Sequence, residues 1–221
     1  MHWGIDTASN LEGKGPCIRS TFIRGVPATF ACRYIATDST LRKVMTRAEA
    51  ESLSASGLWI VTIFEDDPTS PRYFSRSRGE KDGSAAKGYA KSVLEQPPGS
   101  PIYFAVDFDA QSSERERIVS YFEGVNAALR STTGTPYATG IYGSTWVLSW
   151  AAEAHLGDFY WQSMPPAWSG GQNRHVSRHA NLRQHPAMRL CGVVADVDES
   201  WGHGGGWRLQ PRDGPAPTIP H

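Results

Sequence analysis

The sequence predicts a single α/β domain folded as a TIM-like (β/α)8 barrel. Eight short apolar segments alternate with amphipathic or long connecting segments along 221 residues, which is the pattern of a parallel sheet with crossover helices. The repeat of about 27 residues per unit suits a compact barrel of this kind. No GxGxxG or GxxxxGK[ST] motif follows any of these segments. This absence disfavours the alternative, an open doubly wound sheet that binds a nucleotide.

The first half of the chain contains four of the predicted strands. They cover residues 3–8, 28–35, 58–64 and 101–109. Thr46 and Glu49 have the spacing of a capping box, which opens a helix that should end near Gly57. A second helical pattern covers residues 83–96 and is broken by Pro-Pro-Gly at 97–99.

The second half supplies the other four strands. They cover residues 137–142, 159–162, 180–185 and 193–197. Helices are predicted over 112–130 and 144–156, while 165–178 is rich in Pro, Gly, Asn and His and is interpreted as a loop. The barrel domain is therefore expected to span 1–208, followed by a Pro-rich, mobile tail at 209–221.

The charge balance limits the classes of partner. Lys and Arg number 22, as do Asp and Glu, and a chain without a basic excess is not expected to bind nucleic acid. No apolar run approaches the ~20 residues of a membrane span. The sequence also has no apolar stripe left over for contact with another copy, so a monomer is expected. The N-terminal residues have neither a basic nor an apolar region, so the chain as given is expected to carry no signal peptide.

The three cysteines, Cys17, Cys32 and Cys191, are an odd number without CxxC spacing, which argues against a zinc site. Free, partly buried thiols are favoured over a Cys17–Cys32 bridge. His175 and His179 lie in a polar segment, and no HExxH motif occurs. Neither a metal nor another cofactor is therefore expected.

Polar side chains gather where the predicted strands end, and six of them are acidic. These residues are Asp6, Arg33, Glu65, Asp107, Asp109, Tyr142, Gln162, Gln184, Asp196 and Asp198. In a parallel barrel the C-terminal ends of the strands converge on one mouth, where the chemistry takes place. Desolvating several like charges is costly. A collection of acids at this position therefore indicates a functional site rather than packing.

The strand at 101–109 has the sharpest pattern. Alternation places four residues on one face: Tyr103, Ala105, Asp107 and Asp109. Two carboxyls about 7 Å apart along the strand are typical of glycoside hydrolysis, in which one donates a proton and the other attacks or stabilises the anomeric carbon. The alternatives are a metal site, or a strand end paired with Arg33.

Two tryptophans are candidates for stacking on sugar rings. Trp161 and Trp201 lie near the predicted ends of late strands, where an aromatic face can either contact a ligand or fill the core. Both are assigned here to substrate binding as an expectation.

The motifs, taken in order, resemble a known family. They are Trp3-Gly4-Ile5-Asp6, Cys32-Arg33-Tyr34-Ile35, the segment from Thr46 to Leu58, Tyr103 to Asp109, Gly140-Ile141-Tyr142-Gly143 and Ala195-Asp196-Val197-Asp198. The ordered set is similar to the glycoside-hydrolase-like domain known as domain of unknown function 1906, which is common in actinobacteria and related to the family 25 glycoside hydrolases. The resemblance implies a TIM-like barrel that acts on, or binds, cell-wall glycan.

The resemblance also implies roles for individual residues. In the family 25 enzymes strand four ends in Asp-x-Glu with the Glu as proton donor, and here the matching residues are Asp107 and Asp109, so the donor position falls on Asp109. Asp6 matches the first-strand Asp, and Tyr142 matches the strand-five Tyr. The strand-eight Asp matches Asp196 or Asp198.

Three hypotheses follow for function. In the first, the protein is a glycosidase in which Asp109 is the general acid, Asp107 stabilises the transition state or orients the acetamido group, and Glu65 is a reserve acid. Asp6 and Asp196 would hold water or substrate. Substrate binding would fall to Asp196, Asp198, Tyr142, Arg33, Trp161, Gln162, Gln184 and Trp201. The family link suggests secretion or the cell envelope.

The second hypothesis is a glycan-binding module without turnover, favoured by the missing Glu. The third is a metal-dependent hydrolase that uses Asp6, Asp107, Asp109 and Asp196. It ranks last because no histidine joins the cluster.

Overall fold

The computed structural model describes residues 1–131, 136–165, 167–169 and 176–210. Its centre is a closed barrel of eight strands, which confirms the predicted TIM-like fold. In chain order the strands are β1 (His2–Asp6), β2 (Phe22–Ile23), β3 (Val26–Pro27), β4 (Phe30–Ile35), β5 (Trp59–Phe64), β6 (Pro101–Ala105), β7 (Ala138–Gly143), β8 (Phe159–Gln162), β9 (Leu182–Leu190) and β10 (Val193–Ser200). β2 and β3 form a small separate hairpin, and the other strands close the barrel.

The barrel is parallel except at β10, which runs antiparallel to both β9 and β1. The expectation of eight parallel strands was therefore wrong at this strand. β9 and β10 are joined by Cys191 and Gly192, both with positive φ (49° and 78°), as a tight hairpin turn requires. Two residues are too few for the crossover that a parallel pair needs.

Within the described ranges, five α-helices surround the barrel. They are α1 (Gly15–Ser20), α2 (Arg47–Ala55), α3 (Arg76–Tyr89), α4 (Arg115–Leu129) and α5 (Thr145–Glu153). The hydroxyl of Thr46 accepts the Glu49 amide at 3.1 Å, which is one half of the predicted capping box. The Glu49 carboxylate does not reach back to Thr46 and instead binds Arg33 and the Leu11 amide. The second predicted helix begins earlier than expected, at Arg76, because Ser75 caps a polar, glycine-containing first half. Gly124 of α4 faces the backbone of α3 so closely that a Cβ would clash, so these helices pack with almost no space between them.

Strand alternation separates two cores. The inner core fills the barrel and consists of Phe30, Cys32, Val61, Ile63, Tyr103, Ala105, Tyr142, Trp161 and Leu182. On β6, Tyr103 and Ala105 belong to this inner core, whereas Phe104 belongs to the outer core between barrel and helices. The predicted division of β6 into two faces is therefore confirmed.

The segment after β10 closes the barrel at the N-terminal ends of its parallel strands. The Tyr103 hydroxyl donates to the carbonyl oxygen of Gly204 at 2.9 Å, and the Trp207 indole donates to Thr62 Oγ1 at 2.8 Å. Leu209, assigned to the tail by the sequence, still packs against the outer core. The rest of that tail, residues 211–221, lies outside the described residues.

Two of the three cysteines form a disulfide, Cys17–Cys191, while Cys32 is free and buried. The expectation of three free thiols was therefore wrong, and so was the alternative pairing of Cys17 with Cys32. The bridge joins α1 to the β9–β10 turn across 174 residues of sequence. Among the described helices, none is both long and apolar enough to cross a membrane.

Candidate active site

A layer of polar side chains covers the inner core at the C-terminal ends of the parallel strands. Its members, called here the acidic mouth, are Asp6, Tyr34, Glu65, Asp107, Tyr142, Gln184 and Asp196. Most of them continue the inward-facing series of their strand, as Asp107 follows Tyr103 and Ala105. Along such a strand, every second side chain faces inward. These side chains are apolar inside the barrel and polar where the strand ends.

Gln184 organises the centre of the acidic mouth. Its amide nitrogen donates to Asp6 Oδ2 at 3.1 Å and to Asp196 Oδ2 at 3.3 Å. Its carbonyl oxygen accepts the Tyr142 hydroxyl at 3.0 Å. One glutamine therefore links two carboxyls from neighbouring strands, which are brought level by the Asp6–Asp196 register of β1 and β10.

The two carboxyls differ in their surroundings. Asp6 is only 2% exposed. Burial raises its pKa to about 7, the nearby Tyr34 hydroxyl opposes the rise, and the charges of Asp196 and Glu65 add to it. Asp196 is half-buried, and burial raises its pKa as well. Near neutral pH this pair can hold or release a proton.

Asp198 lies one step deeper, inside the barrel. It is fully buried, and its Oδ1 accepts the Trp161 indole N–H at 3.0 Å. Burial, together with the charges of Asp6 and Asp196, raises the pKa of Asp198 well above its usual range. Trp161 has no exposed face and packs edge-on against Tyr142 at 5.0 Å. Trp161 and Asp198 therefore lie inside the barrel, below the acidic mouth, and neither is accessible to a sugar ring.

Asp107 and Glu65 form the opposite side of the mouth. Asp107 is half-buried, and its pKa is raised first by burial and then by the charge of Glu65, with Lys43 opposing. Glu65 is itself paired with Lys43 at 2.8 Å, and the Lys43 ammonium lies 5.7 Å from the centre of the Tyr34 ring. Asp107 thus combines access to solvent with an environment that favours its protonated form.

Asp109 lies beyond the end of β6 and outside this inward-facing series. Its Oδ1 accepts the Ser169 amide at 2.8 Å, and its Oδ2 accepts the Ser169 hydroxyl at 3.0 Å. Both oxygens of the residue that the resemblance implies as proton donor are therefore engaged by the connection after β8.

Arg33 and Gln162, both assigned to substrate binding, face away from the interior of the barrel. Arg33, fully buried on the outer face of β4, pairs with Glu49 at 2.5 Å and donates to the Thr7 carbonyl. Gln162 also faces outward, and its carbonyl accepts the Ser177 amide at 2.7 Å. In both cases the inward neighbour in the sequence, Cys32 or Trp161, takes the inner position. These two assignments are therefore corrected.

Trp201 is 41% exposed but lies at the other end of the barrel. It follows Ser200, which is in register with His2 at the start of β1. Because β10 is antiparallel, its C-terminal end points away from the acidic mouth. The assignment of Trp201 to substrate binding is therefore also corrected.

Sequence reasoning missed Tyr34 and Lys43. Tyr34 could have been found from the alternation of Phe30, Cys32 and Tyr34 along β4. Lys43 lies in an irregular loop, where no periodic pattern indicates its direction. Within the described parts of the chain, no group of three or more His, Cys, Asp or Glu side chains could hold a metal ion.

Comparisons with known proteins agree with this architecture. A family model described as Rv2525c-like, glycoside hydrolase-like domain matches residues 22–208. FadG, an uncharacterized protein of Bacillus subtilis, is 35% identical over 138 residues, which are 62% of this chain and 22% of FadG. YbfG of the same organism is 33% identical over 106 residues, 46% of this chain and 14% of YbfG. The chain thus spans about a fifth or less of the length of these two relatives.

A Mycobacterium tuberculosis protein matches more of its own length. Rv2525c, named as a candidate peptidoglycan hydrolase, is 24% identical over 204 residues, 86% of this chain and 79% of Rv2525c. The crystal structure of Tat-secreted Rv2525c in complex with L-tartrate superimposes with a TM-score of 0.74 at 23% identity. That superposition covers 93% of this chain and 98% of the other. At this identity the superposition shows a shared fold.

Proposed function

This chain belongs to the family of Rv2525c-like, glycoside hydrolase-like domains, and on that premise we propose that it hydrolyses β-1,4-glycosidic bonds of a peptidoglycan-type amino-sugar polymer. The observation that supports hydrolysis best is the acidic mouth itself. Asp107, half-buried with a raised pKa, lies across the mouth from the linked carboxyls Asp6 and Asp196. Glycoside hydrolysis needs such a division between a protonated carboxyl and a second carboxylate.

Asp107 is the proposed general acid. Burial and the charge of Glu65 raise its pKa, which favours the protonated form that an acid needs, and it is more exposed than Asp6. In the reaction, the Asp107 proton passes to the glycosidic oxygen as the bond to the anomeric carbon breaks. As the bond breaks, the Asp196 carboxylate stabilises the positive charge that develops on the sugar ring. Water then attacks the anomeric carbon, and the proton that the water loses passes to the Asp107 carboxylate, which restores the acid.

The other members of the mouth position these groups. Gln184 donates to the Asp196 carboxylate at 3.3 Å, and the Tyr142 hydroxyl donates to the Gln184 carbonyl at 3.0 Å, so Tyr142 acts on Asp196 through Gln184. Glu65 raises the pKa of Asp107, while Lys43 holds Glu65 in place. Asp6 supplies a second proton-holding group next to Asp196.

A glycan-binding module without turnover is the second candidate. It is favoured by the engagement of Asp109 with Ser169, because the carboxyl at the donor position of the family 25 pattern is then not free to protonate a substrate. In this case the acidic mouth would bind the polymer and leave its bonds intact.

The protein is proposed to act outside the cytoplasm, at the cell envelope or after secretion. Its Cys17–Cys191 disulfide suits an oxidising compartment, and the relative Rv2525c is described as Tat-secreted. The proposed partner is the glycan polymer.

The test is the release of reducing ends from purified peptidoglycan, chitin oligomers and a neutral β-glucan. Release from peptidoglycan by the wild type, together with its loss in Asp107→Asn, is the expected result. A matched control is Glu116→Gln, which changes an exposed carboxyl on α4. Measurable binding without release from any polymer would establish the binding module instead.

A further inference from the structure

We propose that Trp168 is an aromatic platform for a sugar ring at the rim of the acidic mouth, and that Asp109 positions it through Ser169. This inference rests on the proposed glycan substrate and names the surface that would bind a sugar unit beside the scissile bond. It also gives Asp109 a positioning role in place of the proton-donor role that the family resemblance implies.

Of the eight tryptophans of the chain, Trp168 is the one best suited to contact a sugar at the mouth. Four are buried, namely Trp3, Trp150, Trp161 and Trp207. Trp59 begins β5, and Trp201 follows β10, so both lie at the end of the barrel opposite the acidic mouth. Trp146 is at the correct end but packs against the outer core. Trp168 is half-exposed, and among the described residues it belongs to neither core cluster.

A set of four hydrogen bonds, called here the rim clasp, fixes the segment that carries Trp168. Two are accepted by the Asp109 carboxylate from the amide and hydroxyl of Ser169, at 2.8 Å and 3.0 Å. In the other two, the side-chain amide of Gln111 donates to the Ser169 hydroxyl at 3.2 Å and to the backbone carbonyl of Asp109 at 3.0 Å. The clasp thus joins the segment after β6 to the segment after β8.

The position of the rim clasp relates Trp168 to the reacting groups. β7 lies between β6 and β8 in the barrel, so the clasp spans the end of β7, just beyond Tyr142. Asp109 is two residues from Asp107, the proposed acid. A turn in which the Trp168 amide donates to the Pro165 carbonyl at 3.2 Å further restricts the segment. The segment that carries Trp168 is therefore held from two directions beside the acidic mouth.

Indole and sugar are chemically suited to this contact. The apolar face of a pyranose ring can pack on an aromatic face, which supplies contact area without charge. The carboxyls of the acidic mouth serve the bond that breaks, and the neighbouring sugar needs an aromatic or apolar surface of its own. A half-exposed tryptophan fixed at its rim supplies that surface.

The platform is tested by binding of tetra-N-acetylchitotetraose, measured by calorimetry, and of purified peptidoglycan, measured by co-sedimentation. Trp168→Ala is expected to weaken binding about 10-fold, the size of a good aromatic contact. Trp201→Ala, which removes an exposed tryptophan from the opposite end, is expected to bind like the wild type. Equal affinity of Trp168→Ala and wild type would overturn the platform, as would equal losses in both variants.

Failure of the proposed function would look different. If the wild type binds both glycans but hydrolyses neither, the glycosidase assignment fails while the platform stands on the binding data. If the wild type binds neither glycan, both inferences are overturned.

The clasp is tested by two variants of the same residue. Asp109→Asn keeps an oxygen to accept the Ser169 amide and adds a donor for its hydroxyl, so it should behave like the wild type. Asp109→Ala removes both bonds and should raise KM about 10-fold while kcat stays within about 2-fold. Thermal unfolding of both variants verifies that the barrel is intact.

A proton-donor role predicts another result. Asp109→Asn would then lose kcat by about 100-fold or more, as severely as Asp109→Ala, and the positioning role would be overturned. If the wild type has no turnover, the dissociation constant of tetra-N-acetylchitotetraose replaces KM. Equal affinity of Asp109→Ala and wild type would then count against the clasp.

Discussion

Replacing Asp6 by Asn should make the protein more stable at alkaline pH, although Asp6 lies in the proposed active site. Asp6 is almost completely buried, and its pKa is raised from the usual 3.8 to about 7. A raised carboxyl pKa means that the folded state binds this proton more tightly than the unfolded state. Between these two pKa values the unfolded chain is ionised while the folded protein keeps the proton. Stability therefore falls as the pH rises through this interval.

The size of the effect follows from the shift. A change of one pKa unit corresponds to 1.36 kcal/mol, so the full shift costs about 4 kcal/mol above pH 7. At pH 5 only the part between 3.8 and 5 applies, which is on the order of 1–2 kcal/mol. Between pH 5 and pH 8, the free energy of unfolding of the wild type should thus fall by about 3 kcal/mol more than that of Asp6→Asn.

Urea unfolding at pH 5 and pH 8 measures this difference. Asp107, Asp196 and Asp198 also have raised pKa values, so the change in the wild type alone does not isolate Asp6. Comparison with Asp6→Asn cancels much of their contribution, and Glu116→Gln should follow the wild type at both pH values. The same pH dependence in wild type and Asp6→Asn would refute the proposed burial of a proton at this site.

Two further predictions concern the framework of the barrel. Glu49→Ala leaves the fully buried Arg33 without its ion-pair partner and should lower the free energy of unfolding, measured with urea, by about 3–5 kcal/mol. The control Glu51→Ala removes one partner of an exposed pair and should lower it by less than about 1 kcal/mol. Equal losses would contradict the importance of the Arg33–Glu49 pair. Replacing Cys17 and Cys191 together by Ser should lower stability by about 2–5 kcal/mol, and a reductant should lower the melting temperature of the wild type but not of this variant. No effect of reductant on the wild type would contradict the bridge.

Alternation along single strands explains most of what could be predicted from the sequence. The inward face of β6 was predicted because Tyr103, Ala105 and Asp107 alternate with bulky apolar residues. The same rule, applied to β4, places Arg33 outward and Tyr34 inward. Arg33 lies near a strand end, but its outward position on β4 directs the guanidinium to Glu49 and away from the mouth.

Several features of the mouth and its frame have no motif in the sequence that predicts them. The reversal of β10 depends on a two-residue turn at Cys191 and Gly192, and it places Asp196 in the mouth and Trp201 at the opposite end. The partner of Cys191 lies 174 residues away, and no local pattern connects them. The engagement of Asp109 by Ser169 likewise joins segments 60 residues apart.

The central claim, that Asp107 is the general acid of a glycosidase, is tested most directly by comparing Asp107→Asn with Asp109→Asn. The measurement is the initial rate of reducing-end release from purified peptidoglycan at saturating substrate. The account predicts that Asp107→Asn loses at least about 100-fold in kcat, while Asp109→Asn keeps nearly the rate of the wild type. The opposite order, with Asp109→Asn inactive and Asp107→Asn active, would contradict it and return the proton-donor role to Asp109.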